Sequence, residues 1–248
     1  MQEHPGRCSA CRDGHSLEFP ISMAFQPIVD LSARQVFAYE ALVRGAAGEG
    51  AGQVLSRVTA QNRYSFDQAC RTTAIEWAAR LGLSVRLSIN FMPNAVYKPE
   101  TCIRATLAAA ERAGFALDRI VFEVTEQERV HDTGHLLDIL SAYREMGFRT
   151  AIDDFGAGYA GLGLLADFQP DLIKLDMHLI RGIATDRVRQ ALVRSVLACC
   201  DELGIEVIAE GVETADELSR LRDMGIRLFQ GYLIARPGFQ SLPEPVYP

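Results

Sequence analysis

FRTAIDDFGAGYAGLGLLADFQPDLIKLD, residues 148–176, is the stretch that decides the fold. FRTAIDD and DLIKLD are short apolar runs of strand length, and Gly161–Ala166 between them has room for one short helix. Strands joined through a helix pair in parallel by a right-handed crossover. The alternation continues outward from this unit in both directions. Upstream lie a helical region over Tyr64–Leu81, strand VRLSIN (Val85–Asn90), a helical region over Thr101–Ala113, strand RIVFEVTE (Arg119–Glu126) and a helix over Leu136–Met146. Downstream come a helix over Arg187–Leu203, strand IEVIAE (Ile205–Glu210), a helix over Ala215–Met224 and strand RLFQGYLI (Arg227–Ile234). The chain opens on MAFQPIVD (Met23–Asp30) and VFAYEALVRG (Val36–Gly45), joined through Leu31–Gln35, a connection short enough for an antiparallel, hairpin-like pair.

This count of strands, alternating with helices in 248 residues, suits a closed TIM-like (β/α)8 barrel with an antiparallel strand near the N-terminus better than an open doubly wound sheet. Glycines fall at the expected helix exits, at Gly82, Gly114, Gly147, Gly204 and Gly225. The expected organisation is an N-terminal segment over 1–22, one domain over 23–240, and a proline-rich surface tail over 241–248.

A composition of 48% hydrophobic and 23% charged residues is that of a globular domain, and a net charge of −7 argues against a general grip on DNA, RNA or an anionic membrane. No apolar run reaches the roughly 20 residues of a membrane span, and the first twenty residues lack a signal-peptide stretch. A cytoplasmic location is therefore expected. Cys70, Cys102, Cys199 and Cys200 lie in helix-like segments with apolar neighbours and read as reduced thiols. His4, Cys8, Cys11 and His15 form an H-x3-C-x2-C-x3-H cluster with the ligand types and spacing of a small zinc (Zn2+) site, although a frayed terminus accounts for it as well.

The strand ends carry the chemistry. Glu40, Asn90, Glu123, Asp153, Asp154, Lys174, Glu210 and Gln230 each sit on or directly after an apolar run. In a parallel barrel the carboxyl ends of the strands open on one face, so these groups are expected to converge. Taken singly, each has an ordinary reading as a cap, a turn or a solvated edge; recurrence at the same end of successive strands is what sets them apart. Clustered carboxylates repel unless cations neutralise them. Oxygen donors without histidine or cysteine favour Mg2+ or Mn2+ over zinc, and the pair Asp153–Asp154 suits two ions sharing a ligand. Gly156 and Gly158 give either a loop that closes over substrate or a plain tight turn.

With these residues in place, the chain resembles the EAL-domain phosphodiesterases. YEALVRG (Tyr39–Gly45) carries their signature, followed in order by LSIN, FEVTE, AIDDFGAGYAGL, IKLD, VIAEGVET and QGYLIARP, from about Ala24 to Pro237. The resemblance implies hydrolysis of cyclic di-GMP to linear pGpG by a homodimer-forming barrel that depends on Mg2+ or Mn2+. By the same resemblance Glu40, Asn90, Glu123 and Asp153 hold one ion, with Asp153 bridging to a second held by Asp154. Lys174 orients the attacking water, Glu210 is a general base or second-metal partner, and Glu213 and Gln230 complete the pocket. Gln26 and Arg44 contact the dinucleotide, and Glu126 tethers the DFGAGYAGL loop. Departures from the family pattern, at Met92, Gln127, Met177 and His178, lie off the metal ring. The residues before Met23 are too few for a flavin-binding sensor, so regulation is expected through dimerisation, a partner or the His/Cys cluster. For the dimer, Ala191, Leu192, Val196, Cys199 and Leu203 form an apolar stripe that barrel packing explains equally well. Two other readings stand beside this one: a catalytically silent EAL domain that binds cyclic di-GMP or a protein, and a barrel metal enzyme with another substrate.

Overall fold

The computed structural model describes residues 17–125, 133–158 and 161–248. The His4/Cys8/Cys11/His15 cluster, Glu126 and Gln127 lie outside the described residues. Strands β1 (Ile21–Asp30) and β2 (Gln35–Gly45) form the expected antiparallel pair, with Gln26 opposite Glu40. Their turn is set by the Asp30 carboxylate, which accepts the backbone N–H groups of Ser32 and Ala33. From β2 the sheet proceeds in parallel through β3 (Arg86–Asn90), β4 (Ile120–Thr125), β5 (Arg149–Phe155), β6 (Leu172–Leu175), β7 (Glu206–Ala209) and β8 (Leu228–Phe229). It closes where β8 meets β1 antiparallel, which makes an eight-stranded barrel in which β1 alone runs against its neighbours. A two-residue β9 (Gly238–Phe239) adds to β1 beyond β8.

The helices are α1 (Ala51–Leu55), α2 (Arg63–Arg80), α3 (Pro99–Cys102), α4 (Arg104–Ala113), α5 (Thr133–Glu145), α6 (Gly161–Asp167), α7 (Met177–Ile180), α8 (Arg187–Leu203) and α9 (Ala215–Asp223). Among the described residues, no helix is long and apolar enough to cross a membrane. Gly114 and Gly204 end α4 and α8 in the left-handed conformation, with φ of 62° and 69°.

Period-two alternation sorts the strands into two cores. Ile28, Ala38, Val121, Ala151, Leu172, Ile208 and Leu228 form a closed apolar cluster contributed by seven strands, the floor of the barrel interior. The alternate positions, among them Phe25, Tyr39, Leu87, Phe122, Ile152, Ile173 and Phe229, belong to the larger cluster shared with the helices. Two residues along from each floor position, on the same face, come Gln26, Glu40, Glu123, Asp153, Lys174, Glu210 and Gln230. The pleat delivers the candidate site as one layer above an apolar floor.

Three expectations shift. The region around Thr101–Ala113 is two helices, α3 beginning at Pro99 with proline in its first turn and α4 from Arg104. RLFQGYLI is a strand only over Leu228–Phe229, because Leu233 N–H then donates to Val212 O and Ile234 N–H to Gly231 O, closing a turn. On α8 the barrel-facing set is Val193 and Cys200 with Val196, Leu197 and Cys199, while Ala191, Leu192 and Leu203 of the apolar stripe are exposed. Barrel packing therefore does not account for those three. The residues after 240 lie against the barrel: Tyr39 Oη donates to Pro243 O at 2.9 Å and Val246 N–H to Ile234 O at 3.0 Å.

The turn after β8 leaves no room at Gly231, where an added Cβ would lie 2.1 Å from Val212 O and 2.4 Å from its N. Gly231→Ala is expected to destabilise the protein by about 3 kcal/mol. Urea unfolding checks this, and a wild-type midpoint would contradict the close approach.

Candidate active site

Lys174 is the hub of the layer. Its side chain is 1% exposed, and Nζ lies 2.8 Å from Glu210 Oε2, 2.9 Å from Asp153 Oδ1, and 3.2 Å from both Glu40 Oε2 and Glu123 Oε2. Amides and a hydroxyl complete the ring. Asn90 Nδ2 donates to Glu40 Oε1 at 2.9 Å, Gln230 Nε2 to Glu40 Oε2 at 2.8 Å, and Ser88 Oγ to Glu123 Oε1. Gln26, opposite Glu40 on β1, lies 3.4 Å from the Gln230 amide and donates to Ala235 O.

One ammonium does not balance four carboxylates. A pair of like charges about 4 Å apart costs roughly 4 kcal/mol at an effective dielectric of about 20, so the excess negative charge appears as displaced proton affinities. Burial would depress the Lys174 ammonium, but Asp153, Glu123, Glu210 and Glu40 together hold its pKa well above the ordinary value. Burial also pushes the Glu40, Glu123 and Glu210 carboxyls upward. For Glu40 it is outweighed by Lys174 and the amides of Gln230 and Asn90, which hold the group below the usual range. Glu123 lies equally far from Lys174 but receives only a hydroxyl, and burial with the charges of Glu40 and Asp153 leaves it well above that range. Glu210 is pushed to about 8, by burial first and then by Asp153 and Glu40.

Asp154 joins the site by a break in the strand. Strict alternation would turn it away from Asp153, but the β5–β6 register shifts between Ile152 and Phe155, and Asp154 adopts φ of 54°, in the left-handed region uncommon for a non-glycine residue. Its N–H donates to Asp153 Oδ1 at 3.0 Å. Burial, Asp153 and Asp176 raise its pKa to about 6.

Two of the expected residues stand apart from the ring. Glu213 is exposed and pairs with Arg181 at 3.0 Å, and the Arg44 guanidinium donates to its own strand at Val43 O, although Arg44 shares the inward face of β2 with Glu40. Three residues that the strand-end reading passed over are built into the site or its frame. Ser88 is buried inside β3 and looks like an ordinary strand residue. Asp176, buried after β6, accepts the His178 N–H and neighbours Asp154. Glu217, buried on α9, accepts the N–H groups of Gly182, Glu213 and Thr214 and so ties the loop after β6 to the loop after β7. Its place three residues after Thr214 is a capping-box signal, visible in the sequence. Of the departures, Met177 packs on Gly211, directly after Glu210.

The donors fit divalent cations. Oxygens of Glu40, Glu123 and Asp153 lie within 4.8 Å of one another, as do those of Asp153, Asp154 and Glu210, so Asp153 is common to two carboxylate triads. Gln230 Oε1 is buried with no hydrogen-bond partner among the described residues, a further oxygen within the layer. An all-oxygen set suits hard ions. A cavity of about 620 Å³, lined by Arg194, Asp201, Met224 and Arg227, opens between α8 and the amino-terminal ends of β7 and β8, and contains none of these groups.

Fold and site together define a (β/α)8 barrel with an acidic, cation-suited centre at the carboxyl ends of its strands. The chain belongs to the EAL domain family, whose model matches residues 18–237. It is 31% identical over 226 residues to the blue light- and temperature-regulated antirepressor BluF of Escherichia coli, covering 91% of this chain and 56% of that protein. It is 30% identical to the cyclic di-GMP phosphodiesterase PA2567 of Pseudomonas aeruginosa, covering 90% of this chain and 38% of the relative. The chain thus spans little more than half, or less, of the length of these curated relatives. Among solved structures, a standalone versatile EAL protein from Vibrio cholerae in its c-di-GMP-bound form is 53% identical, with a TM-score of 0.91 over 93% of this chain and 98% of that one. A manganese and cyclic di-GMP complex of Klebsiella pneumoniae BlrP1 is 38% identical, with a TM-score of 0.86 over 99% of this chain and 60% of that one.

Lys174→Met leaves the ring without its cation and is expected to cost about 3–5 kcal/mol of stability in chelator, part of it restored by Mn2+. A wild-type melting temperature in chelator would contradict the hub. Glu210 and Asp154 bind protons more tightly folded than unfolded, so between their ordinary values and about 8 and about 6 the folded chain holds more protons. Metal-free stability is therefore expected to fall as pH rises through that window. Urea midpoints at about pH 5 and pH 8 check the sign, and a higher midpoint at the alkaline end would contradict it.

Proposed function

We propose that this chain hydrolyses cyclic di-GMP to linear pGpG with the help of two divalent cations, Mg2+ or Mn2+. The observation that carries the reading is the pair of carboxylate triads sharing Asp153 around Lys174. Glu40, Asn90, Glu123 and Asp153 hold one cation, and Asp154 with Asp153 the other; Gln230 Oε1 supports them. Bound cations supply Lewis-acid activation of water and neutralise charge on the phosphodiester. Water adds at phosphorus, the bond from phosphorus to the ribose 3′-oxygen breaks, and that oxygen leaves with a proton. Lys174 orients the water, and Glu210, with its raised proton affinity beside Lys174, handles the proton. Gln26 and Arg44 contact the dinucleotide, the guanidinium matching phosphate. Glu213 closes the pocket after release from Arg181. The same reading includes a cytoplasmic homodimer, to which Val188 and Leu192, 68% and 51% exposed on α8, offer an apolar surface; sedimentation tests that part.

A second reading, a silent domain that binds the nucleotide or a protein partner, is favoured by the antirepressor name of the Escherichia coli relative. The two separate in one assay, in which the purified chain is given cyclic di-GMP with Mg2+, Mn2+ or chelator and pGpG is followed by chromatography. Cation-dependent pGpG is expected, with turnover lost in Glu40→Ala and Asp153→Ala. Lys174→Ala should slow the reaction about a hundredfold or more while nucleotide binding persists. Tight nucleotide binding without turnover in either cation would sink the hydrolase reading.

A further inference from the structure

Asn90 and Glu123 reach the ring from β3 and β4, and their chain neighbours Phe91 and Phe122 belong to the core shared with the helices. Against those two rings lies Arg71 of α2, with 0% exposure. Its Nη1 donates to Tyr143 Oη at 2.7 Å, its Nη2 lies 2.6 Å from Asp67 Oδ2, and Cζ stands 5.3, 5.2 and 5.7 Å from the ring centres of Phe91, Phe122 and Tyr143. Asp67 Oδ1 accepts the backbone N–H of Met92 at 2.9 Å, two residues beyond Asn90. Phe91 N–H in turn donates to Glu123 O at 3.0 Å. A buried ion pair therefore grips the exit of β3 from behind, Asp67 through a backbone hydrogen bond and Arg71 through the faces of the two aromatic rings.

Such a pair is a poor way to gain stability. Both charges lose their water, Arg71 Nε has no hydrogen-bond partner among the described residues, and apolar residues of similar volume often do as well or better. What an apolar replacement cannot supply is an acceptor for the Met92 N–H, or a planar cation against Phe91 and Phe122. We propose that Asp67 and Arg71 are positioning residues for the cation site: they fix the β3 exit so that the Asn90 amide and the Glu123 carboxylate stay in register with Glu40 and Asp153. This inference rests on the cation-binding reading of the ring.

The test is Mn2+ binding by titration calorimetry, without nucleotide, on three proteins whose cooperative melting is checked in parallel. These are wild type, the apolar double variant Asp67→Leu/Arg71→Met, and Ile75→Ala, which opens a cavity on the same helix while leaving the ion pair in place. The double variant is expected to melt cooperatively yet bind Mn2+ at least about tenfold more weakly. Ile75→Ala should melt lower and still bind within about twofold of wild type. Should the double variant not fold, Arg71→Lys, which keeps the charge and loses the planar fork, carries the same expectation. Wild-type affinity in a folded variant of the pair, or equal weakening in Ile75→Ala, overturns the positioning role. Absence of Mn2+ binding by wild type itself overturns the cation site instead.

Discussion

Lys174 keeps its charge at 1% exposure because four carboxylates surround it, and those carboxylates tolerate one another only because of it. Neither side of this interaction stands alone. The ring can form where it does because the barrel pleat places an inward-facing position of each contributing strand at about the same height, one step above the apolar floor. Excess negative charge is built in, since amide and hydroxyl donors to Glu40 and Glu123 only partly offset it. A centre of that kind attracts further positive charge, and its oxygen donors are of the type that suits hard cations.

Much of this was legible in the sequence because a parallel barrel repeats one rule. Each apolar run ended in a residue that the closed sheet carried to the same face, and all eight of those residues, with Gln26, lie together. The rule is silent where local geometry departs from it. Nothing in FRTAIDD announces the bulge and positive φ that bring Asp153 and Asp154 side by side. Ser88 is hidden because a serine inside a strand has no distinguishing neighbours. RLFQGYLI reads as a strand to Ile234, but the backbone of Val212 captures the chain three residues into it. The α8 stripe misleads in a different way, since an apolar periodicity reveals that a face exists and not which surface it meets.

Around the ring, the loops are held by groups that never enter it. Glu217 joins the loops after β6 and β7 through three backbone N–H groups, and Arg181 holds Glu213 and approaches Glu217. Asp67 and Arg71 do the same for the exit of β3 from the helix side. The resemblance carried by the strand-end motifs and the match over residues 18–237 agree on the family, whereas these supports become visible only when the helices are packed on the strands. Placement of a first layer by the strands and its adjustment by the surrounding elements is what distinguishes an assembled centre from a coincidence of acidic residues.

On the reading proposed above, the carboxylate layer is a divalent-cation centre organised on Asp153. Anomalous diffraction from crystals soaked in Mn2+, collected on both sides of the manganese absorption edge, tests it directly. One peak is expected among Glu40, Glu123 and Asp153 and a second among Asp153, Asp154 and Glu210. An ordered ring with Lys174 still at its middle and no manganese peak at either triad would contradict it.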